Sequence, residues 1–190
     1  MLAAHEEVVG RVSLVLRPLD TVTGREGEAE LSVRLGAKGP PAIRTPSGFY
    51  AFEDVAPHVH AVHVRAVGAH RGRYVDARLE LDLAAQTPPL VLALELWPAP
   101  DYPFPPRTTL VRGRVETLAG TPVAQAEIGL DPPGPRAFSD ANGDFVLALA
   151  PTSPAAVLLV ASKGSAVDSK SVSVVAGGSA SAGTLQLDVP

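Results

Sequence analysis

Apolar and polar residues alternate in short runs along this chain. In VRGRVE, Val111, Gly113 and Val115 fall on one side of an extended strand, and Arg112, Arg114 and Glu116 fall on the other. Successive strand side chains point to opposite faces, so such a run has one apolar and one wet face. In ARLELDL the same period turns Leu79, Leu81 and Leu83 inward and leaves Glu80 and Asp82 in solvent. PLVLALEL (89–96) and TLQLDV (184–189) follow the pattern. Strands of this kind predict antiparallel sheets packed face to face. With 17 Gly and 19 Pro breaking the chain into short segments, there is little room for long helices. The expected fold class is all-β.

The pattern is passed through twice. LDTVTG (19–24) resembles VETLAG (115–120), and TPSGFYAF (45–52) resembles DANGDFVL (140–147). Gly24 recurs at Gly120 and Gly48 at Gly143, offsets of 96 and 95 residues. AVHVRA (61–66) then keeps step with AVLLVA (156–161), and YVDARLEL (74–81) with AVDSKSVS (166–173). Ordered matches at a near-constant offset predict tandem units: one sandwich over 1–97, a linker over 98–108 and a second sandwich over 109–190. The linker follows from WPAPDYPFPPRT (97–108), whose five prolines forbid a central strand and favour a semi-rigid extended path. Trp97, Tyr102 and Phe104 stand out there, because a solvated linker rarely needs three aromatics. Either they pack into the cleft between the sandwiches or they form a proline-aromatic surface that docks a partner.

The second pass carries a strand with Gly113, Arg114 and Val115, a turn ending in Gly120 and Pro122, a strand beginning at Ala126, and an Asp-x-x-Gly-x-Phe turn at Asp140, Gly143 and Phe145. Over about 110–175 this order resembles the carboxypeptidase regulatory-like domain of the transthyretin-like (prealbumin-like) sandwiches. The first pass looks like a diverged copy, with Thr45 in place of the aspartate and Tyr50 in place of Phe145. The resemblance implies two tandem antiparallel Greek-key β-sandwiches, each of about seven strands, in an accessory or scaffold role. The sandwich repeats with the YPFPP linker also resemble, faintly, accessory components of phage-tail-like contractile injection machinery.

Asp140, Asn142 and Asp144 in SDANGDF suggest an ion loop at first. Counted from Asp140, however, glycine comes at position 4 instead of 6, and Pro151 stands at position 12, where a calcium loop needs a bidentate glutamate. A hairpin turn is the better expectation: Asp140 accepts backbone N–H bonds, Asn142 and Gly143 tolerate positive φ, and Phe145 points into the core. In PHVHAVHVRA, His58 and His60 share a face and His63 lies on the other, so a zinc site would have to recruit His5, His70 or a carboxylate. No metal and no cofactor is expected.

Charge and composition narrow the function classes. The formal net charge is −4 and the basic residues are scattered, so nothing marks a nucleic-acid surface. With no cysteine there is no disulfide, thiolate site or thiol nucleophile. The chain shows no Gly-x-Ser-x-Gly elbow and no phosphate loop. Two glutamates interrupt its first residues, and no apolar run approaches the roughly 20 residues of a membrane span. The expectation is a non-catalytic structural or adaptor protein with other protein subunits as partners. It would be cytoplasmic as synthesised and part of a particle released from the cell. The alternative is a glycan- or cell-surface-binding module stacking sugars on Trp97, Tyr102 and Phe104.

Overall fold

The computed structural model describes residues 11–84, 86–150 and 155–189. The described chain is all-β, with one 3-10 turn at Gly68–His70. In the first half the strands are β1 (Val12–Asp20), β2 (Leu31–Leu35), β3 (Ile43–Arg44), β4 (Tyr50–Glu53), β5 (Val59–Ala66), β6 (Ala77–Asp82) and β7 (Leu90–Leu96). In the second they are β8 (Thr109–Thr117), β9 (Glu127–Asp131), β10 (Ala137–Phe138), β11 (Asp144–Leu149), β12 (Ala156–Lys163), β13 (Ala166–Ser173) and β14 (Ser179–Leu187).

Sheets β3-β4-β1-β7 and β2-β5-β6 enclose one core, and sheets β11-β8-β14 and β10-β9-β12-β13 enclose the other. The two sets repeat strand for strand with one exchange: β3 pairs with β4, whereas its counterpart β10 pairs with β9. Most pairs are antiparallel. In each half, however, the first and last strands run parallel, β1 beside β7 and β8 beside β14. A parallel pair needs a long crossover, and here the intervening strands of each half supply it. Alternation alone reports faces and says nothing of strand direction.

The alternation sets the cores. Leu14, Leu16, Tyr50, Phe52, Leu94 and Leu96 are buried in the first, and Val111, Val115, Phe145, Leu147, Leu185 and Leu187 in the second. Fully burying an aliphatic or phenyl side chain contributes about 1.5–3 kcal/mol each. Gly113 occupies an inward position without a side chain, and Phe145 fills the space. A Cβ there would lie 2.7 Å from the Phe145 ring and 2.8 Å from the Gly183 carbonyl oxygen. One expectation needs revision in degree. Leu83 is buried as anticipated, but Leu79 and Leu81 are only half-buried, because the β6 side of the first sandwich is less closed than the rest.

The matched turns have the same backbone bonds. Thr45 N–H donates to the Phe49 carbonyl and Gly48 N–H to the Thr45 carbonyl; Asp140 N–H donates to the Asp144 carbonyl and Gly143 N–H to the Asp140 carbonyl. Gly48 and Gly143 both sit at φ +81°, a conformation that glycine adopts without a Cβ penalty. Pro132, Pro133 and Pro135 lead into the edge strand β10, where Arg136 pairs with Glu127 at 3.2 Å. Proline and charge at such an edge discourage strand addition.

Candidate functional site

The most constrained chemistry in the first half gathers on Asp20, at the end of β1. Its Oδ1 accepts the Val22 and Thr23 N–H groups at 2.8 and 3.0 Å, forming the turn of LDTVTG. Its Oδ2 accepts the hydroxyls of Tyr74 and Tyr102 at 2.8 and 2.7 Å. Burial alone would raise the Asp20 pKa, but the bonds from Tyr102, Thr23, Tyr74 and Val22 together favour the carboxylate and hold it below the ordinary 3.8. Both phenols are pushed above their ordinary value, first by burial and then by the Asp20 charge they donate to.

This carboxylate fastens the proline-rich segment to the first sandwich. Tyr102 is buried, and its ring lies 5.6 Å from Tyr74 and 4.8 Å from Phe104. Phe104 packs against the same core. Val75 N–H donates to the Trp97 carbonyl and Ala99 N–H to the Arg73 carbonyl, so residues 73–75 and 97–99 form a short antiparallel bridge. The segment is therefore bonded to the first half along much of its length.

Trp97 lies apart from Tyr102 and Phe104. It is half-buried and meets Phe138 of β10 edge-on, with ring centroids 5.3 Å apart and planes at 63°. Two polar ties join the halves nearby: Arg112 Nη1 donates to the Pro100 carbonyl at 2.7 Å, and Gln125 Nε2 donates to the Asp76 carbonyl. Val146, on the outward face of β11, has no exposure at all. Beside these contacts lies an open cleft of about 680 Å³, lined among others by Val22, Trp97, Pro105, Arg107, Arg136 and Leu149. The three linker aromatics thus share no stacking face: one ring spans the junction and two belong to the first core.

The SDANGDF turn is held by its own backbone. Asp140 Oδ1 accepts the Asn142 and Asp144 N–H groups at 2.8 and 3.0 Å. Phe145 is 1% exposed in the second core. The Asp140 carboxylate is engaged in turn formation, with Arg114 bonded to the Asn142 carbonyl and 3.7 Å from Asp144. His58 and His60 stack at 4.0 Å, and His60 Nε2 contacts the Ala56 carbonyl at 2.8 Å. His70 Nδ1 accepts the Glu30 N–H at 3.4 Å, and His5 lies outside the described residues. Among the described residues no group of three His, Asp or Glu side chains is arranged to hold a metal. No described helix is long and apolar enough to cross a membrane.

Sequence reasoning missed two residues. Ser139 is fully buried; its hydroxyl donates to the Val123 carbonyl at 2.6 Å and accepts the Ala126 N–H at 2.9 Å. Asp20 was visible as the aspartate of LDTVTG, but its tyrosine partners lie 54 and 82 residues away. No local signal announces them.

No protein-family model matches the chain, and no curated protein does. Among solved structures, the chain is similar to the Bacillus anthracis TIE protein, with 12% identity and a TM-score of 0.32 over 93% of this chain and 34% of that one. It is similar to GBS52, the minor pilin of the Gram-positive pathogen Streptococcus agalactiae, with 11% identity and a TM-score of 0.31 over 94% and 97% of the two chains. The shaft pilin SpaA from Lactobacillus rhamnosus GG has 10% identity and a TM-score of 0.32 over 94% and 97%. The chain spans about a third of the length of the first of these. At such values the fold assignment stands on the strands and registers described above.

Proposed function

We propose that this chain is a non-catalytic structural or adaptor subunit, built of two tandem sandwich domains and acting through protein–protein contacts. The observation behind this reading is the junction. A proline-rich segment is bonded to the first sandwich through Asp20, and Trp97, Arg112 and Gln125 tie the second sandwich to it. Such ties resist independent motion of the halves, which suits a spacer or scaffold that presents surfaces at a set separation. The polar side chains with the most specific geometry, Asp20 and Ser139, are engaged in holding backbone and tyrosines.

The finer form of the proposal is a pair of carboxypeptidase regulatory-like, transthyretin-like modules serving as an accessory subunit of a phage-tail-like particle. Synthesis in the cytoplasm and release with the particle go with it. The test is sedimentation of native particles from cells producing the chain. Co-sedimentation at a fixed stoichiometry, with cross-links from its sheet faces to other subunits, is the expected result. A free chain without a protein partner, whose Trp97 emission responds to saccharides, would sink the reading in favour of glycan binding.

A further inference from the structure

Asparagine occurs once in this chain, at Asn142, and glycine follows it. The asparagine side-chain amide is thermolabile, and the group that attacks it is the backbone nitrogen of the next residue. Glycine in that place has no Cβ to obstruct the approach. Asn142 is exposed at the tip of the turn between β10 and β11, where water reaches its amide. The matching turn of the first half has Ser47 before Gly48. The doubled pattern therefore carries this chemistry in the second sandwich alone.

The reaction needs only water. The Gly143 nitrogen gives up its proton and bonds to Asn142 Cγ; the Cγ–Nδ2 bond breaks, and the side-chain nitrogen leaves as ammonia with that proton. A succinimide ring remains. Water opens the ring at either of its carbonyls, so the chain continues through the main-chain carbonyl as aspartate or through the side chain as isoaspartate. The second product lengthens the backbone between residues 142 and 143 by a methylene.

The folded turn holds the reacting peptide on both sides. Gly143 N–H donates to the Asp140 carbonyl at 3.0 Å, and Arg114 Nε donates to the Asn142 carbonyl at 3.0 Å. A peptide is planar, so fixing both groups fixes its plane and keeps the nitrogen from swinging toward Cγ. The Arg114 charge draws electrons from that carbonyl and favours loss of the Gly143 proton, but a nitrogen held away from Cγ does not react. Space is short as well. A Cβ on Gly143 would lie 2.4 Å from the Val115 carbonyl oxygen and 3.3 Å from the Val123 nitrogen. An added methylene meets the same crowding, and it breaks the spacing by which Asp140 Oδ1 accepts both Asn142 and Asp144 N–H groups.

We propose that Asn142 is a modification site gated by the fold. The closed turn withholds the Gly143 nitrogen; a chain whose second sandwich opens deamidates at Asn142, and its isoaspartyl product cannot rebuild the turn. The rate in the folded protein then follows local opening. Unfolding of the second sandwich is thereby recorded covalently.

The test incubates the full chain in mildly alkaline buffer, folded and in guanidinium chloride, and follows replacement of NH2 by OH by intact mass spectrometry. Asn142→Ser, which installs the residue of the matching turn, abolishes the change; persistence at the wild-type rate overturns the assignment. The expected rate is at least about tenfold lower in the folded chain, as for a group that reacts only on local opening. Arg114→Ala, at a partly exposed side chain, raises the folded rate severalfold and leaves the denatured rate unchanged. Arg136→Ala, whose guanidinium pairs with Glu127, leaves both unchanged. Circular dichroism verifies that the variants fold. Once denaturant is removed, isoaspartyl chains, labelled by enzymatic methylation, are missing from the fraction that regains the wild-type melting point. Equal rates in the folded and denatured wild type overturn the proposal whether or not the variants fold. A folded rate unmoved or lowered by Arg114→Ala overturns the holding role of the turn, and isoaspartyl chains that regain the wild-type melting point overturn the block to refolding.

Discussion

At the scale of single residues, the two halves solve the same backbone problem with different chemistry. The chain entering β2 must satisfy buried backbone groups, and Tyr50 does so by accepting the Leu31 N–H at 2.7 Å and donating to the Ala29 carbonyl at 3.3 Å. In the second half Phe145 has no hydroxyl, and Ser139 bridges Val123 and Ala126 instead. Tyr50 in place of Phe145 thus exchanges where the hydroxyl comes from. Ser139→Ala leaves a buried donor and acceptor unpaired and is expected to cost about 1–3 kcal/mol in chemical denaturation. The turn glycines grade similarly. A Cβ at Gly143 would lie 2.4 Å from the Val115 carbonyl oxygen, while Gly120, at φ +80°, has open space. Gly120→Ala should cost about 1–2 kcal/mol for its left-handed backbone, and Gly143→Ala distinctly more. Asp20 sets a pH dependence. Its folded pKa is below 3.8, so its contribution is present above that value and is lost as pH falls through the folded pKa. Between about pH 5 and about pH 2, the wild type should lose more melting temperature than Asp20→Asn. The tyrosines act at the other end: their contribution is present below pH 10.0 and is lost as pH rises through their raised values.

At the scale of elements, the matched hairpin turns show how a motif survives a change of residue. Asp140 Oδ1 takes two backbone N–H donors, whereas Thr45 Oγ1 takes one, from Phe49 at 3.1 Å. Thr45→Asp should therefore stabilise the first half by up to about 1 kcal/mol, one net hydrogen bond, readable as a rise in melting temperature. These turns were legible in the sequence because glycine at positive φ and an acceptor three residues earlier are local requirements. The linker was legible only in part. Its prolines announced an extended path, but the attachment of Tyr102 to Asp20 depends on where β1 ends relative to a segment 82 residues later.

At the scale of the whole molecule, the junction decides whether the chain behaves as one body. Trp97 is the sole tryptophan, so its emission reports the contact with Phe138 directly. Phe138→Ala should red-shift that emission and increase its quenching by acrylamide, with the far-ultraviolet circular dichroism unchanged. Small-angle scattering of the same variant should show a broader distribution of maximum dimensions than the wild type. If the variant scatters like the wild type, the polar ties at Arg112 and Gln125 suffice to hold the halves together.

The sequence by itself determined the all-β class, the doubling of the pattern and the inward faces of most strands. Each of these follows from period-two alternation and from glycine and proline acting on their immediate neighbours. Tertiary structure decided which strands run parallel, which partner β3 and β10 choose, and how the proline-rich segment is tied down. These depend on contacts between residues far apart in the chain, and a one-dimensional pattern of faces carries no information about strand direction or partner choice.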